Sequence, residues 1–313
     1  MKLERIASRK ILVVGDVMLD KYWFGSVNRI SGEAPVPIVH VDHEEIRLGG
    51  AANVALNIKT LGSHVTLLTV VGQDNAARNL RDLIDSNKIK TYFSEDPSMD
   101  TIVKLRIISQ NQQMLRLDFE KEPDKEVMVA IIERFKELVE GHDVVVFSDY
   151  GKGGLTHIPK MIQIANKAGK FILIDPKGSD WMRYHGASVI TPNTFELTQV
   201  IGQWSSDAEL EDKVNSIIMK LNLEALLLTR SKEGMTLFEP KSVTSIASEA
   251  REVSDVSGAG DTVIATLAVM IACDLDLCQS MRVANKAAGH VVAKFGTASV
   301  SYNELFDESF YGS

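Results

Sequence analysis

Short apolar runs alternate with amphipathic stretches along most of the chain, and this alternation limits the fold more than any other feature. Residues 11–14, 65–71, 144–147, 171–174, 188–190 and 225–228 read as strands buried on both faces. Between most of them lie helical patterns at 51–61, 76–86, 127–140, 158–168, 208–221 and 261–273. Such a sequence predicts an α/β fold: a doubly wound, mostly parallel sheet flanked by helices, with right-handed crossovers. The 313 residues, 45% of them apolar, are enough for one large domain with a sizeable core.

Two stretches break the pattern. Residues 21–47 contain Pro35-Val36-Pro37 and then Ile38-Val39-His40-Val41. Residues 101–119 alternate on both sides of Asn111-Gln112, as a hairpin does. Together they predict a small β-sheet lid. No low-complexity linker or internal repeat divides the chain, so residues 1–313 are expected to form a single domain.

Charge and hydropathy exclude several function classes. A net charge of −8 leaves no domain-wide basic surface for nucleic acid. No apolar stretch approaches the ~20 residues of a membrane span, and the first residues mix acid and base, unlike a signal peptide. A cytoplasmic protein without membrane contact is expected. Cys273 and Cys278, in or beside an apolar helical run, read as reduced core thiols.

The strand ends carry the chemistry. The runs lead into Gly15-Asp16, Ser148-Asp149, Asp175-Pro176-Lys177, Thr191-Pro192-Asn193 and Thr229-Arg230-Ser231. Ligands of open α/β sheets bind beyond the carboxyl ends of the strands, although polar residues also end strands for turn chemistry alone. Residues 255–263 read DVSGAGDTV and open the last long helix. Gly258-Ala259-Gly260 lets the backbone turn sharply and approach a ligand, and the free N–H groups of a helix start attract phosphate. Asp261 at their rim suits a base that takes a proton from an attacking hydroxyl. A tight turn with an Asp cap fits the same residues. Neither GxxxxGK[ST] nor a GxGxxG after the first strand is present.

GGAANVALNIKTLGSHVTLLTVVGQD at 49–74, followed far downstream by DVSGAGD, resembles the two signatures of the ribokinase (PfkB) family of carbohydrate kinases, and the similarity covers nearly the whole chain. GDVMLDKYWFG at 15–25, RISGEAPVPIV at 29–39, KLRIISQNQQMLRLDFE at 104–120, SDYGKG at 148–153 and LIDPKG at 173–178 are similar to the branch acting on a phosphorylated heptose. The resemblance implies a ribokinase-like fold and ATP-dependent phosphorylation of O1 of D-glycero-D-manno-heptose 7-phosphate. That step belongs to the ADP-heptose route to lipopolysaccharide inner core. Another sugar or nucleoside kinase, or a non-catalytic sugar-binding or nucleotide-binding regulator, stands as the alternative. Many relatives in this branch carry a nucleotidyltransferase domain after the kinase. A chain ending at Ser313 fits a monofunctional or a truncated form.

By this resemblance Asp261 is the catalytic base, and Gly258, Ala259 and Gly260 form the anion hole. Asn193 and Glu196 match an N-x-x-E element near Mg²⁺ and phosphates, while Asn193 capping a helix with Glu196 solvated is the competing reading. Thr229, Arg230, Ser231 and Gly234 resemble a nucleotide-contacting turn, and Asn285 lies where relatives approach the adenine. Asp255 sits where some members bind a monovalent cation such as K⁺. On the sugar side stand Asp16, Asp20, Gly49, Gly50 and Asn53, with Asp149 and Asp175 as a hydroxyl-binding floor. Lys104, Arg106 and Arg116 on the expected lid, with Lys152 and Lys177 beside strand ends, are the cations for a substrate phosphate. Lid charges on a solvated strand face fit the same pattern. A homodimer through the lid is expected, as in many family members.

Overall fold

Residues 11–14 are aliphatic without polar interruption, so both faces of this strand must be covered, and Ile11 to Val14 are all buried. Ile11 and Val13 enter the apolar layer on one side of the sheet, Leu12 and Val14 the layer on the other. A computed structural model describes residues 3–110, 112–123, 125–250 and 252–306. Its strands are β1 (Lys10–Gly15), β2 (Val17–Ile30), β3 (Pro37–Gly50), β4 (His64–Val71), β5 (Lys90–Glu95), β6 (Val103–Ser109), β7 (Gln112–Phe119), β8 (Val144–Ser148), β9 (Phe171–Asp175), β10 (Val189–Ile190), β11 (Ala225–Thr229), β12 (Met235–Glu239) and β13 (Ser242–Ile246).

The large sheet has nine strands in the order β13-β12-β11-β10-β9-β8-β1-β4-β5. All neighbours from β11 to β5 pair in parallel, and β12 and β13 close one edge as an antiparallel hairpin. The chain adds β4 and β5 on one side of β1, then β8 to β11 on the other. The strand order therefore reverses between β1 and β8, and the crevice beyond their carboxyl ends is where such sheets bind ligands. Helix Ala259–Ala272, apolar almost all round, packs over this region against β8, β9, helix Ala51–Thr60 and helix Leu277–Val291.

The second sheet has four strands in the order β3-β2-β6-β7. β2 begins directly after Asp16, so the chain passes from one sheet to the other across that residue. The expected lid stretches fall in this sheet, but β2 and β3 run 14 residues each, longer than 21–47 implied. Asn111 of the expected hairpin lies outside the described residues. The expected buried strands and intervening helices coincide with observed elements to within two residues at each end, overrunning by one at 61, 140, 168, 188 and 273. Strand β5, the β12–β13 hairpin and helix Leu277–Val291 were not anticipated: β5, β13 and the helix are partly exposed with polar spacing, and the buried β12 is short and interrupted by Thr236. Among the described residues no helix is long and apolar enough to cross a membrane, and Cys273 and Cys278 are free thiols.

Candidate active site

Gly258 adopts φ 77°, a left-handed conformation that favours glycine, and caps helix Ala259–Ala272. A Cβ on Gly258 would lie 2.7 Å from Asn53 Nδ2, so the position also needs the missing side chain. The Ala259 N–H donates to the Val256 carbonyl at 3.2 Å. Of the expected anion hole, Ala259 is thus engaged in the turn. The Gly258, Gly260 and Asp261 amides are left without an acceptor among the described residues, and the last two open the helix. A Cβ on Gly260 would meet nothing within 4 Å, so there is open space beside this residue.

Asp261 is 3% exposed and both its oxygens are held. Asn53 Nδ2 donates to Oδ2 at 2.7 Å, and the Tyr150 hydroxyl donates to Oδ1 at 2.6 Å. Burial pushes its pKa up to about 6, against the lowering effect of these two hydrogen bonds. Behind Asn53, Asn57 Nδ2 donates to Asn53 Oδ1 at 3.3 Å, and the Thr262 hydroxyl donates to Asn57 Oδ1 at 3.1 Å. This buried polar chain fixes helix Ala51–Thr60 against the start of helix Ala259–Ala272.

Beyond Asp261 opens a cleft of about 1110 Å³, and Asn193, Glu196, Thr229, Ser231, Gly234 and Asn285 all line it together with residues 258–261. Asn193 and Glu196 form a capping box: Asn193 Oδ1 accepts from the Glu196 N–H at 2.9 Å, and Glu196 Oε2 accepts from the Asn193 N–H at 3.1 Å. Capping and a place at the cleft therefore coexist, and Glu196 is buried rather than solvated. Asp175, at the end of β9, also lines the cleft. Burial first, then the Glu196 and Asp261 carboxylates, pushes its pKa well above the usual range. Asn285 Nδ2 donates to the Ala247 carbonyl at 2.8 Å, leaving its oxygen free for another donor. Val253 and Val256, both more than half exposed, give this end an apolar wall. Arg230 does not join the lining; it pairs with Glu233 at 2.8 Å.

On the other side of Asp261, the register of the small sheet sets out its charges in rows. Arg47, Asp20, Lys104 and Asp118 lie opposite one another across β3, β2, β6 and β7, and the next row holds Glu45, Tyr22, Arg106 and Arg116. Most of the cations expected to meet a substrate phosphate are paired within the chain. Arg106 Nη1 donates to Asp20 Oδ1 at 2.6 Å, with the two side chains 11% and 3% exposed. Arg116 pairs with Asp118, Lys152 with Glu120 at 2.6 Å, and Lys177 with Glu196 at 3.0 Å. Lys104 has no ion pair among the described residues; its ammonium lies 5.3 Å from the centre of the Tyr150 ring. Burial lowers its pKa.

Two expected sugar ligands serve the loop after β8. Asp16 accepts the N–H groups of Tyr150, Lys152 and Gly154 at 2.9–3.1 Å, because its carboxylate sits under a loop whose amides have no other acceptor. Burial, with the Asp149 carboxylate adding, raises its pKa to about 6. Asp149 accepts from the Gly151 N–H and the Tyr184 hydroxyl, each at 2.8 Å. Gly50 (φ 58°) starts helix Ala51–Thr60, and a Cβ on Gly49 would stand 2.5 Å from Asp20 Oδ2. Asp255 accepts from the Ser257 and Gly296 N–H groups at 2.9 and 3.0 Å, tying two loops together.

A buried carboxylate beside free helix-start amides, at the mouth of a large cleft and at the strand-order reversal, suits phosphoryl transfer to a hydroxyl. The model of the pfkB family of carbohydrate kinases matches residues 8–304. The chain belongs to that family. It is 46% identical over 306 residues to D-beta-D-heptose 7-phosphate kinase of Bordetella bronchiseptica, covering 98% of each chain. It is 48% identical over 297 residues to the bifunctional protein HldE of Histophilus somni, of which it spans 62%. Among solved structures, phosphofructokinase-2 from Escherichia coli in complex with potassium superposes with a TM-score of 0.82 at 17% identity, over 97% of this chain and 98% of that one. This last likeness speaks for the ribokinase-like fold.

The residue of this kinase that sequence reasoning left without a role is Tyr150. Its signal was present: an aromatic directly after Ser148-Asp149, at the end of a strand beside the reversal point.

Proposed function

We propose that this kinase transfers the γ-phosphoryl group of ATP to the O1 hydroxyl of D-glycero-D-manno-heptose 7-phosphate, giving the 1,7-bisphosphate. The observation that carries the reaction is the Asp261 carboxylate at the same helix start as two unpaired amides. The sugar is supported by the near full-length identity to the heptose 7-phosphate kinase. Asp261 takes the proton of the attacking hydroxyl, and a pKa of about 6 leaves it ionised at neutral pH yet basic enough to accept that proton. The Gly260 and Asp261 amides stabilise the charge on the phosphoryl oxygens in flight. The apolar wall of Val253 and Val256 suits the face of adenine, and Asn285 offers its oxygen to a base N–H.

No group of three or more His, Cys, Asp or Glu among the described residues makes a metal cage. Mg²⁺ held mainly by phosphates and water needs none. Asp175 and Glu196 fit it, because both carboxylates line the same cleft as the free helix-start amides. When bound there, Mg²⁺ would neutralise phosphate charge. For a monovalent cation such as K⁺ the support is narrower: Asp255 already accepts two N–H groups, leaving only its remaining lone pairs.

Lys104 is the cation best placed for the sugar phosphate or the developing charge. Arg106 and Arg116 could reach a phosphate only by sharing it with Asp20 and Asp118. The test is a product assay with ATP, Mg²⁺ and heptose 7-phosphate, run beside fructose 6-phosphate and ribose. Bisphosphate formed preferentially from the heptose is expected. Preferential turnover of ribose or fructose 6-phosphate would replace this reading with another sugar kinase.

The small sheet, as a lid, is also proposed to join two copies of the chain. Its outer strand β7 is exposed throughout, with Met114, Leu115, Leu117 and Phe119 open to solvent. An apolar edge of this kind invites pairing. Sedimentation should show a dimer for the native chain and a monomer for the Leu115→Lys, Leu117→Lys double variant. A native chain that stays monomeric at every concentration would end the dimer proposal without touching catalysis.

A further inference from the structure

Resting on Asp261 as base, we propose that Tyr150 is a positioning residue that holds Asp261 through its hydroxyl and Lys104 through its ring, so that one side chain ties the large sheet to the small one. The loop that carries it is fixed: Asp16 takes the N–H groups of Tyr150, Lys152 and Gly154, and Asp149 takes that of Gly151. A backbone held at these points leaves the phenol little freedom of aim. Its hydroxyl reaches Asp261 Oδ1 at 2.6 Å while Asn53 holds Oδ2, so both oxygens of the base are fixed, each with a lone pair left for an acceptor hydroxyl. Burial and the Asp261 and Asp175 carboxylates keep the phenol protonated, which makes it a donor throughout the working pH range.

The ring does separate work. Lys104 comes from β6, on the other sheet, and its ammonium stands 5.3 Å from the Tyr150 ring centre. A cation on an aromatic face is held by about 0.5–2 kcal/mol, which converts to about two- to thirtyfold in an equilibrium. The charged and titratable groups that act on Asp261 are Tyr150 itself, Asp20 from β2, Lys104 from β6 and Asp175 from β9, with Arg106 of β6 bound to Asp20. Asp20 favours the protonated form of Asp261, and Lys104 and Tyr150 favour the ionised form. The ring thus keeps the small-sheet cation close to the base, and the hydroxyl keeps the base ready to accept a proton.

The two functions separate in two variants. Tyr150→Phe keeps the ring and loses the donor; Tyr150→Leu loses both. The experiment is kcat and sugar KM against pH for the native enzyme and each variant, with a ¹³C titration of the Asp261 carboxyl by NMR as the direct readout. In the native enzyme, kcat/KM should fall as pH drops through about 6. Tyr150→Phe should move this acid limb and the NMR midpoint up by about one pH unit, since a hydrogen bond to the ionised form is lost, with little change in sugar KM. Tyr150→Leu should show the same shift and also a sugar KM raised about two- to thirtyfold. A Phe variant slower at every pH, with limb and midpoint unmoved, overturns the role of the hydroxyl. A Leu variant with the sugar KM of the Phe variant overturns the role of the ring. If Tyr150→Leu fails to fold, the NMR midpoint of Tyr150→Phe still decides the first. Failure of the base assignment would look different: Asp261→Asn would keep its turnover.

Discussion

Asp261→Asn is expected to lower turnover by at least about 10²–10⁴-fold, the usual loss when a positioned acid–base group is removed, while ATP binding and the fold persist. The substitution keeps the shape of the side chain and removes its ability to accept a proton. The surroundings can adapt. The new oxygen can go on accepting from Asn53 Nδ2 while the Tyr150 hydroxyl rotates to accept from the new NH2, so both contacts survive and only one changes donor. Stability should hold as well, because burial disfavours the charge that the variant lacks. Steady-state turnover, calorimetric ATP binding and far-ultraviolet circular dichroism check the three parts. The residual activity should also lose the acid limb near pH 6, since the group that titrates there is gone. Turnover within tenfold of native, in a folded variant, would remove Asp261 from the chemistry.

What could be read in the chain and what could not divide along a physical line. The parallel strands were legible because burial on both faces makes them continuous apolar runs, as at Ile11 to Val14 and Leu226 to Leu228. The helix start at Gly258-Ala259-Gly260-Asp261 was legible because its turn, its capping glycine and its acid are local in sequence. The small sheet was legible only in part, since β2 and β3 alternate irregularly, with register shifts at Phe24/Gly25 and Val27/Arg29. Which charges pair was not legible at all. Arg106 meets Asp20 across 86 residues of chain, and Asp16 caps a loop more than 130 residues away. Those partners depend on strand register and loop geometry that no local pattern encodes. Alternation did place Lys104 and Arg106 on one face of their strand. It could not say that one would be neutralised and the other left over an aromatic ring.

Arg106→Ala should destabilise the protein by about 3–5 kcal/mol, the range for removing one partner of a buried ion pair. That is a large part of the roughly 5–15 kcal/mol that holds a typical domain folded. Asp20 is 3% exposed on its side chain and sits against Gly49, where water has little room to replace the guanidinium. Arg106 also covers the Tyr22 ring at 5.3 Å, with Arg47 at 5.1 Å from the same ring, so packing is lost along with charge. Tyr22 is fully buried and its oxygen accepts the Thr297 N–H at 3.4 Å, which carries the disturbance toward the chain after helix Leu277–Val291. The urea midpoint of Arg106→Ala should therefore fall steeply. Adding Asp20→Asn to the same chain should return part of the loss, because an amide needs no counter-charge. A double-mutant cycle should give a coupling of about 0.5–3 kcal/mol. A phosphate-binding Arg106 with no structural duty would behave otherwise: sugar KM would rise, the urea midpoint would stay at the native value, and the cycle would show no coupling with Asp20 in the absence of sugar. The short, nearly dry contact between the two side chains is the reason to expect the first pattern.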